Sequence, residues 1–266
     1  MDQPIGRPAD PTAGSTSEIA KLCVLAGRII LENGGETHRV EDTMTRVARA
    51  YGLTDAHSFV MPTGIFFSID GPGQITRLVR ISARSTDLRK VTLVNAVSRR
   101  ISQGELTVDE AYRELKAISS AKPGYPEWFT ILAAAVASGC FLIMFDGTWR
   151  DFIPAMLAGG AGLAFLNYFH RVVPIKFVAE FLASLLIGLL ASLFLALGIG
   201  YDLDTIIIGS VMPLVPGLLI TNAVRDLMAG HLVSGMSKGA EAFLTAFAIG
   251  SGVAFVLAFM NGGGAG

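Results

Sequence analysis

The chain changes its hydrophobic rhythm twice. Residues 17–34, SEIAKLCVLAGRIILENG, repeat apolar positions at three- and four-residue intervals, which predicts an amphipathic helix capped by Ser17 and stopped by Gly34. A second helix is expected over residues 36–51, with Val40, Met44, Val47 and Ala48 as its buried stripe and Gly52 as its end. Residues 55–70 and 75–81 then turn β-rich and are punctuated by Pro62-Thr63-Gly64 and Gly71-Pro72-Gly73, predicting two or three short strands. Helical spacing returns at about 87–103 and 107–119, the latter opening on a Thr107/Glu110 capping box. Residues 18–122 therefore read as an α+β domain. The polar residues 1–17, rich in Pro, Gly and Ser, read as a disordered leader.

Beyond Pro123-Gly124-Tyr125-Pro126 the pattern becomes a series of apolar runs at about 127–145, 152–169, 177–199, 205–220 and 240–260. Most approach the ~20 residues that a helix needs to cross a bilayer. The predicted fold class is an α-helical membrane protein: a cytoplasmic α+β domain followed by a transmembrane domain, residues 127–260, of about five helices. Arg113, Lys116 and Lys122, then Arg171 and Lys176, then Arg225 and Lys238 all fall on one side, and the other side carries only Arg150. The positive-inside rule puts the domain in the cytoplasm and the carboxyl terminus outside. Trp128, Trp149 and Tyr201 stand where interfacial aromatics belong.

Composition agrees. Hydrophobic residues make up 52% and charged ones 16%, with a mean hydropathy of +0.54, against about 25% charged in soluble domains. Of the 21 Lys and Arg, 16 precede Pro126, as do 14 of the 22 Asp and Glu, leaving five and eight for the rest. A net charge of −1 leaves no basic excess for a nucleic-acid surface. Cys23 and Cys140 form no redox or metal motif and read as packed small hydrophobes. His38, His57, His170 and His231 have no zinc spacing, and no phosphate-cradling glycine loop or nucleophile motif is present. No metal, cofactor or enzymatic activity is expected.

The fourth run holds the candidate chemistry. Thr205-IIIGSVMPLVPGLLI-Thr221-Asn222 carries Pro213 and Pro216, which cannot donate to the carbonyls of Gly209 and Met212, beside a flexible Gly217. Free backbone at membrane depth survives only against protein or a water-lined cavity, and such breaks mark transport sites; the alternative is a packing kink. Just beyond, Asn222 and Asp226 share one helical face and Thr221 and Arg225 the next. The carboxylate could take a proton or a substrate ammonium and the guanidinium a substrate carboxylate, or both could be solvated at headgroup level. Glu180, near the start of the third run, is a second proton-site candidate, or it snorkels. Two stripes of small residues, Ser184/Gly188/Ser192/Ala196 and Ala242/Ala246/Gly250/Ala254/Ala258, predict close helix contacts.

AGRIILENGGETHRVEDTMTRVARAYG, MPTGI, YPEW and above all MPLVPGLLITNAVRDLMAGHLVSGMSKGAEA closely resemble the threonine/serine exporter family over about residues 18–260. The resemblance implies export of threonine and serine, or of small dicarboxylates such as succinate, across the plasma (cell inner) membrane, driven by the proton gradient. Full-length exporters resemble this chain joined to a smaller multi-helix membrane module that other bacteria encode separately. The chain therefore resembles the larger, amino-terminal partner. Expected partners are that smaller membrane protein, a small-molecule substrate, the lipid bilayer and a possible second copy of the chain. A reading from another class is a membrane-tethered cytoplasmic domain that binds a ligand or has enzymatic activity; five spans, one of them broken, exceed what an anchor needs.

Overall fold

Helix α1 (Thr16–Glu32) begins at the cap its sequence offers first: the Ser15 hydroxyl accepts the Glu18 N–H, and Glu18 reaches back to the Ser15 N–H. Ser17 therefore lies inside the helix, two residues past the true cap, because Ser15 has the glutamate three residues on that completes the box. The computed structural model describes residues 15–70, 74–122, 124–172 and 175–262. Most of the expected leader, the Gly71-Pro72-Gly73 turn, Pro123 and the last four residues lie outside them.

The chain divides into two compact units, one running to Gly124 and regaining Leu218–Gly239, the other made of Tyr125–Gly217 and the residues from Ala240. In the first unit α1 is buried nearly all round and contacts α2 (Thr37–Ala50), α3 (Leu88–Ser102), α4 (Val108–Ser120) and strands β2 (Gly64–Ile69) and β3 (Ile75–Arg80). Three strands form where two or three are expected. β1 (Ala56–Met61), β2 and β3 make an antiparallel meander, with Met61 paired to Gly64 across a two-residue turn. Val60, Ile65, Phe67 and Ile69 face the helices, which fixes the register, since a one-residue slip would turn them all outward. Thr107 and Glu110 cap α4 as expected, and Asp87 caps α3. Cys23 is fully buried and desolvation pushes its thiol up to about 12, so it is an inert packing group. Cys140 lies exposed on its helix and does not share that role.

The second unit contains α5 (Glu127–Met144), α6 (Phe152–Val172), α7 (Lys176–Ala196) and α8 (Leu203–Val211), ending in a tight turn at Met212–Leu214. The chain continues as α9 (Gly217–Met228) and α10 (Leu232–Gly262). Among the described residues four helices are long and apolar enough to cross a membrane, and a fifth span exists if α8 and α9, bent by 60° at the break, count as one. The last helix starts eight residues before the expected boundary at 240.

Packing here runs on small residues. Gly162 stands against Ile187 and Gly209 against Leu142 and the Ser138 carbonyl so closely that an added Cβ would force a shift, and Gly188 packs tightly on Val256, where a Cβ would come to 3.1 Å. The Ser184 and Gly188 half of the first stripe is therefore a contact, whereas Ala196 is exposed. The second stripe is not: Gly250 has nothing within 4 Å of an added Cβ, and Ala246, Ala254 and Ala258 are exposed. Four residues advance a 3.6-residue helix by about 400°, so a strict four-residue stripe drifts off the contact face by about 40° per step. The buried line alternates threes and fours through Ala242, Thr245, Ile249, Gly252 and Val256, with Ala248 buried beside it.

Gly252→Leu should thus lower the thermal midpoint and yield of the purified chain severely, since a side chain there strikes Ser184 and the Phe181 carbonyl. Gly250→Leu should leave both within the scatter of wild type. Equal effects would mean that α10 packs by another face.

Candidate functional site

Helix α9 is laid out as its sequence spacing requires, with Asn222 and Asp226 buried on one face and Thr221 and Arg225 exposed on the next. All four belong to the unit of the amino-terminal helices. Asn222 donates from Nδ2 to the Gly34 carbonyl at 2.9 Å. That carbonyl is presented by the α1–α2 turn, where Gly34 adopts φ +89, a left-handed value that suits glycine.

Asp226 is 0% exposed, yet its charge is fully answered. Its Oδ1 accepts the Thr37 N–H at 2.9 Å and its Oδ2 accepts the Thr37 hydroxyl at 2.8 Å. Lys238, itself 4% exposed, brings its ammonium to 2.7 Å from Oδ2 and 3.2 Å from the Thr37 hydroxyl oxygen. Thr37 is the first residue of α2, and Glu36 before it gives no side-chain cap. Asp226 supplies from 189 residues away the acceptor that this helix start lacks, in the position where the helix dipole favours an anion. Around this centre Arg225 pairs with Glu36, His231 Nδ1 stands 3.8 Å from Glu41, and the Ser234 hydroxyl donates to the Val60 carbonyl at 3.0 Å. Asp226 is therefore not solvated at a surface, and each of its oxygens already holds a partner.

Glu180 is held differently. It is 3% exposed on α7, its Oε1 lies 3.6 Å from His170 Nε2 on α6, and its Oε2 has no hydrogen-bond partner. His170 is 40% exposed, so the pair joins a buried carboxyl to an accessible imidazole. Thr245 on α10, also buried, carries a second unpartnered oxygen in the same unit. Lys176, one turn before Glu180, is taken up by Glu241, and Arg171 by Glu127.

The helix break is real and tighter than the prolines alone imply. Val215 N–H reaches the Met212 carbonyl at 3.2 Å, so this carbonyl, expected to be free, is bonded by the turn that Pro213 starts. Gly209 is a contact glycine against α5, and Gly217 opens α9 with open space around it. Sequence reasoning missed Thr37, Lys238 and His170. A lone lysine just ahead of the last apolar run, within α10, was the available signal for Lys238; nothing local marks Thr37. Among the described residues no group of three His, Cys, Asp or Glu could hold a metal ion.

Comparison with known proteins covers nearly the whole chain. The family model of the threonine/serine exporter matches residues 21–260. A protein of Klebsiella aerogenes named probable succinate transporter subunit YjjP is 28% identical over 247 residues, covering 90% of this chain and 93% of that protein. The protein of that name in Escherichia coli is 26% identical, over 90% and 93%. A probable threonine/serine exporter of Mycobacterium tuberculosis is 25% identical over 87% of this chain but only 44% of its own length. No solved structure matches the chain.

The buried pair predicts a folding phenotype. Asp226→Asn strands the Lys238 ammonium and should cost about 3–5 kcal/mol, read as a lower thermal midpoint and lower abundance, whereas Asp226→Leu with Lys238→Met should recover most of it. A wild-type midpoint for Asp226→Asn would show that the pair is not buried. Glu41, half-buried, has its carboxyl raised above 4.5 chiefly by desolvation, then lowered by the Val60 N–H and by His231 and His38, and raised by Asp226. A raised folded-state value means that this group's stabilisation is present below pH 4.5 and is lost as pH rises through the folded value. Glu41→Gln should flatten that part of the stability profile, measured by thermal unfolding across pH; an unchanged slope would assign it elsewhere.

Proposed function

The chain belongs to the threonine/serine exporter family, and we propose that it is the larger subunit of a proton-coupled exporter moving threonine, serine or a small dicarboxylate such as succinate out of the cell. Family and relatives make it a multi-pass membrane transporter and not an enzyme. The split into subunits is supported by lengths: the chain spans 93% of relatives named as a subunit but 44% of the mycobacterial exporter. Its partner is then a smaller multi-helix membrane protein of the same family.

The observation that carries the mechanism is the half-satisfied carboxyl of Glu180. A carboxyl in a membrane helix is costly to keep and is ordinarily kept for function. Here one oxygen is left unbonded and the other faces an imidazole that solvent can reach, which is the arrangement a proton needs to enter and leave. The break at Met212–Gly217 supplies irregular backbone of the kind that lines transport sites. In this reading Thr221 and Arg225 lie at the exposed mouth of that segment, and Asn222 and Asp226 anchor it. Amino-terminal residues lie cytoplasmic and the carboxyl terminus external. The bonds of Asn222 and Asp226 to Gly34 and Thr37, which join the α9–α10 junction to the first helices, support this reading, since the lysine and arginine count assigns both to one side.

Glu180→Gln should abolish accumulation-driven export of labelled threonine, serine and succinate from loaded cells that also make the partner, at wild-type abundance. His170→Gln should reduce it and shift its pH dependence. Wild-type export by Glu180→Gln on all three substrates would sink the proton role. Reporter fusions at both termini should read opposite sides; the same side would make the broken pair re-entrant.

A further inference from the structure

A groove on the amino-terminal unit is lined, among the described residues, by three basic side chains and by no acidic one. It lies between α1, the edge strand β3 and α4, encloses about 190 Å³, and is lined by Lys21 and Arg28 from α1, Arg77 from β3 and Tyr112 from α4. Val24 and Val79 form its apolar floor. The topology explains the convergence. Lys21 and Arg28 are seven residues apart, two helical turns on one face, and Arg77 pairs in register with buried Phe67, so it points to the helix side of the sheet.

The charges are under-used. Arg28 spends its Nε on Glu32 at 2.7 Å, and Arg77 spends one terminal nitrogen on the Ser17 hydroxyl at 3.1 Å. The Arg77 Nε is buried and has no hydrogen-bond partner among the described residues. A buried guanidinium N–H left unpaired in a folded protein calls for an acceptor. Lys21 is exposed, and its charge acts on Glu18 one turn before it.

We propose that this groove binds a small organic dianion, one carboxylate on the Arg77 fork and the other between Lys21 and Arg28. The methylenes between them lie on Val24 and Val79, and the Tyr112 ring closes the side. The planar guanidinium of Arg77 offers a donor fork that a carboxylate can match with two parallel hydrogen bonds, and the apolar floor favours a ligand with methylenes over a bare inorganic anion. Size limits the ligand: at ~30 Å³ per water the groove holds about six waters, the room of a short diacid rather than a nucleotide. The site is built wholly from the amino-terminal unit and does not depend on the export reading.

The test is isothermal titration of the full-length chain in detergent micelles with succinate as the probe, at low salt, with inorganic sulfate as competitor. Wild type should bind, and Arg77→Gln should weaken binding by about tenfold or more, the size expected for one charge-assisted contact. Lys21→Gln, an exposed change that leaves the fold intact, should weaken it severalfold. Arg99→Gln, on an exposed face away from the groove, and Glu180→Gln should bind as wild type. Absence of succinate binding, unchanged affinity in both groove variants, loss in Glu180→Gln equal to that in Arg77→Gln, or sulfate competing as well as succinate would each overturn the proposal. Loss of export in Glu180→Gln with succinate binding intact would support both readings, and wild-type export in Glu180→Gln with binding lost only in the groove variants would overturn the proton role while supporting the groove.

Discussion

A buried carboxylate and a buried ammonium must meet or neither can stay charged, and in this chain that requirement is placed on Asp226 and Lys238. Each is inaccessible to water, so their mutual 2.7 Å bond and the two bonds from Thr37 replace hydration. The start of α2 depends on the same atoms, since no local side chain caps it. Through them the α9–α10 junction becomes part of the amino-terminal unit, with Asn222 on Gly34 and Ser234 on Val60 holding either end of the contact. Such a pair contributes little net stability compared with apolar residues of the same shape; its effect is on specificity, because any other docking would leave a bare charge inside.

In the membrane-type unit the governing constraint is close approach. Lipid gives helices no hydrophobic reason to associate, so contact depends on glycines and serines that let backbones touch. Gly252 against Ser184, Gly188 against Val256 and Gly209 against the Ser138 carbonyl are the points where this happens. A unit packed this tightly has little slack, and against that background the unbonded oxygen of Glu180 stands out. Tight packing and a polar defect in the same helix are what the proposed proton site at Glu180 would require.

The two carboxylates therefore divide the work that their residue type alone would let either perform. Asp226 is saturated by partners from two other helices, α2 and α10, which suits a fixed joint. Glu180 keeps one imidazole neighbour and one empty acceptor, which suits exchange. Basic residues divide in the same way: Lys238 and Arg225 are committed to acids, whereas the groove around Arg77 keeps spare donors.

Much of this was legible in the sequence, because helix periods, caps and apolar runs are local. The four amino-terminal helices, the strands, the membrane-length runs and the break at Pro213/Pro216 follow from residues within a few positions of one another, and the shared face of Asn222 and Asp226 follows from a spacing of four. Local information could not tell what that face would meet. Thr37 lies 189 residues from Asp226, and only the folding of α9 and α10 onto α2 turned a solvated or substrate-binding candidate into a capped ion pair. The second small-residue stripe failed for a related reason: a spacing of four names a set of positions, but a neighbouring helix selects the face, and α7 selected Gly252 over Gly250. Composition and periodicity determined which elements this chain makes and that a bilayer is their solvent; tertiary structure alone decided which charges are spent in holding them and which remain free, because pairing over such distances is a property of packing and not of spacing.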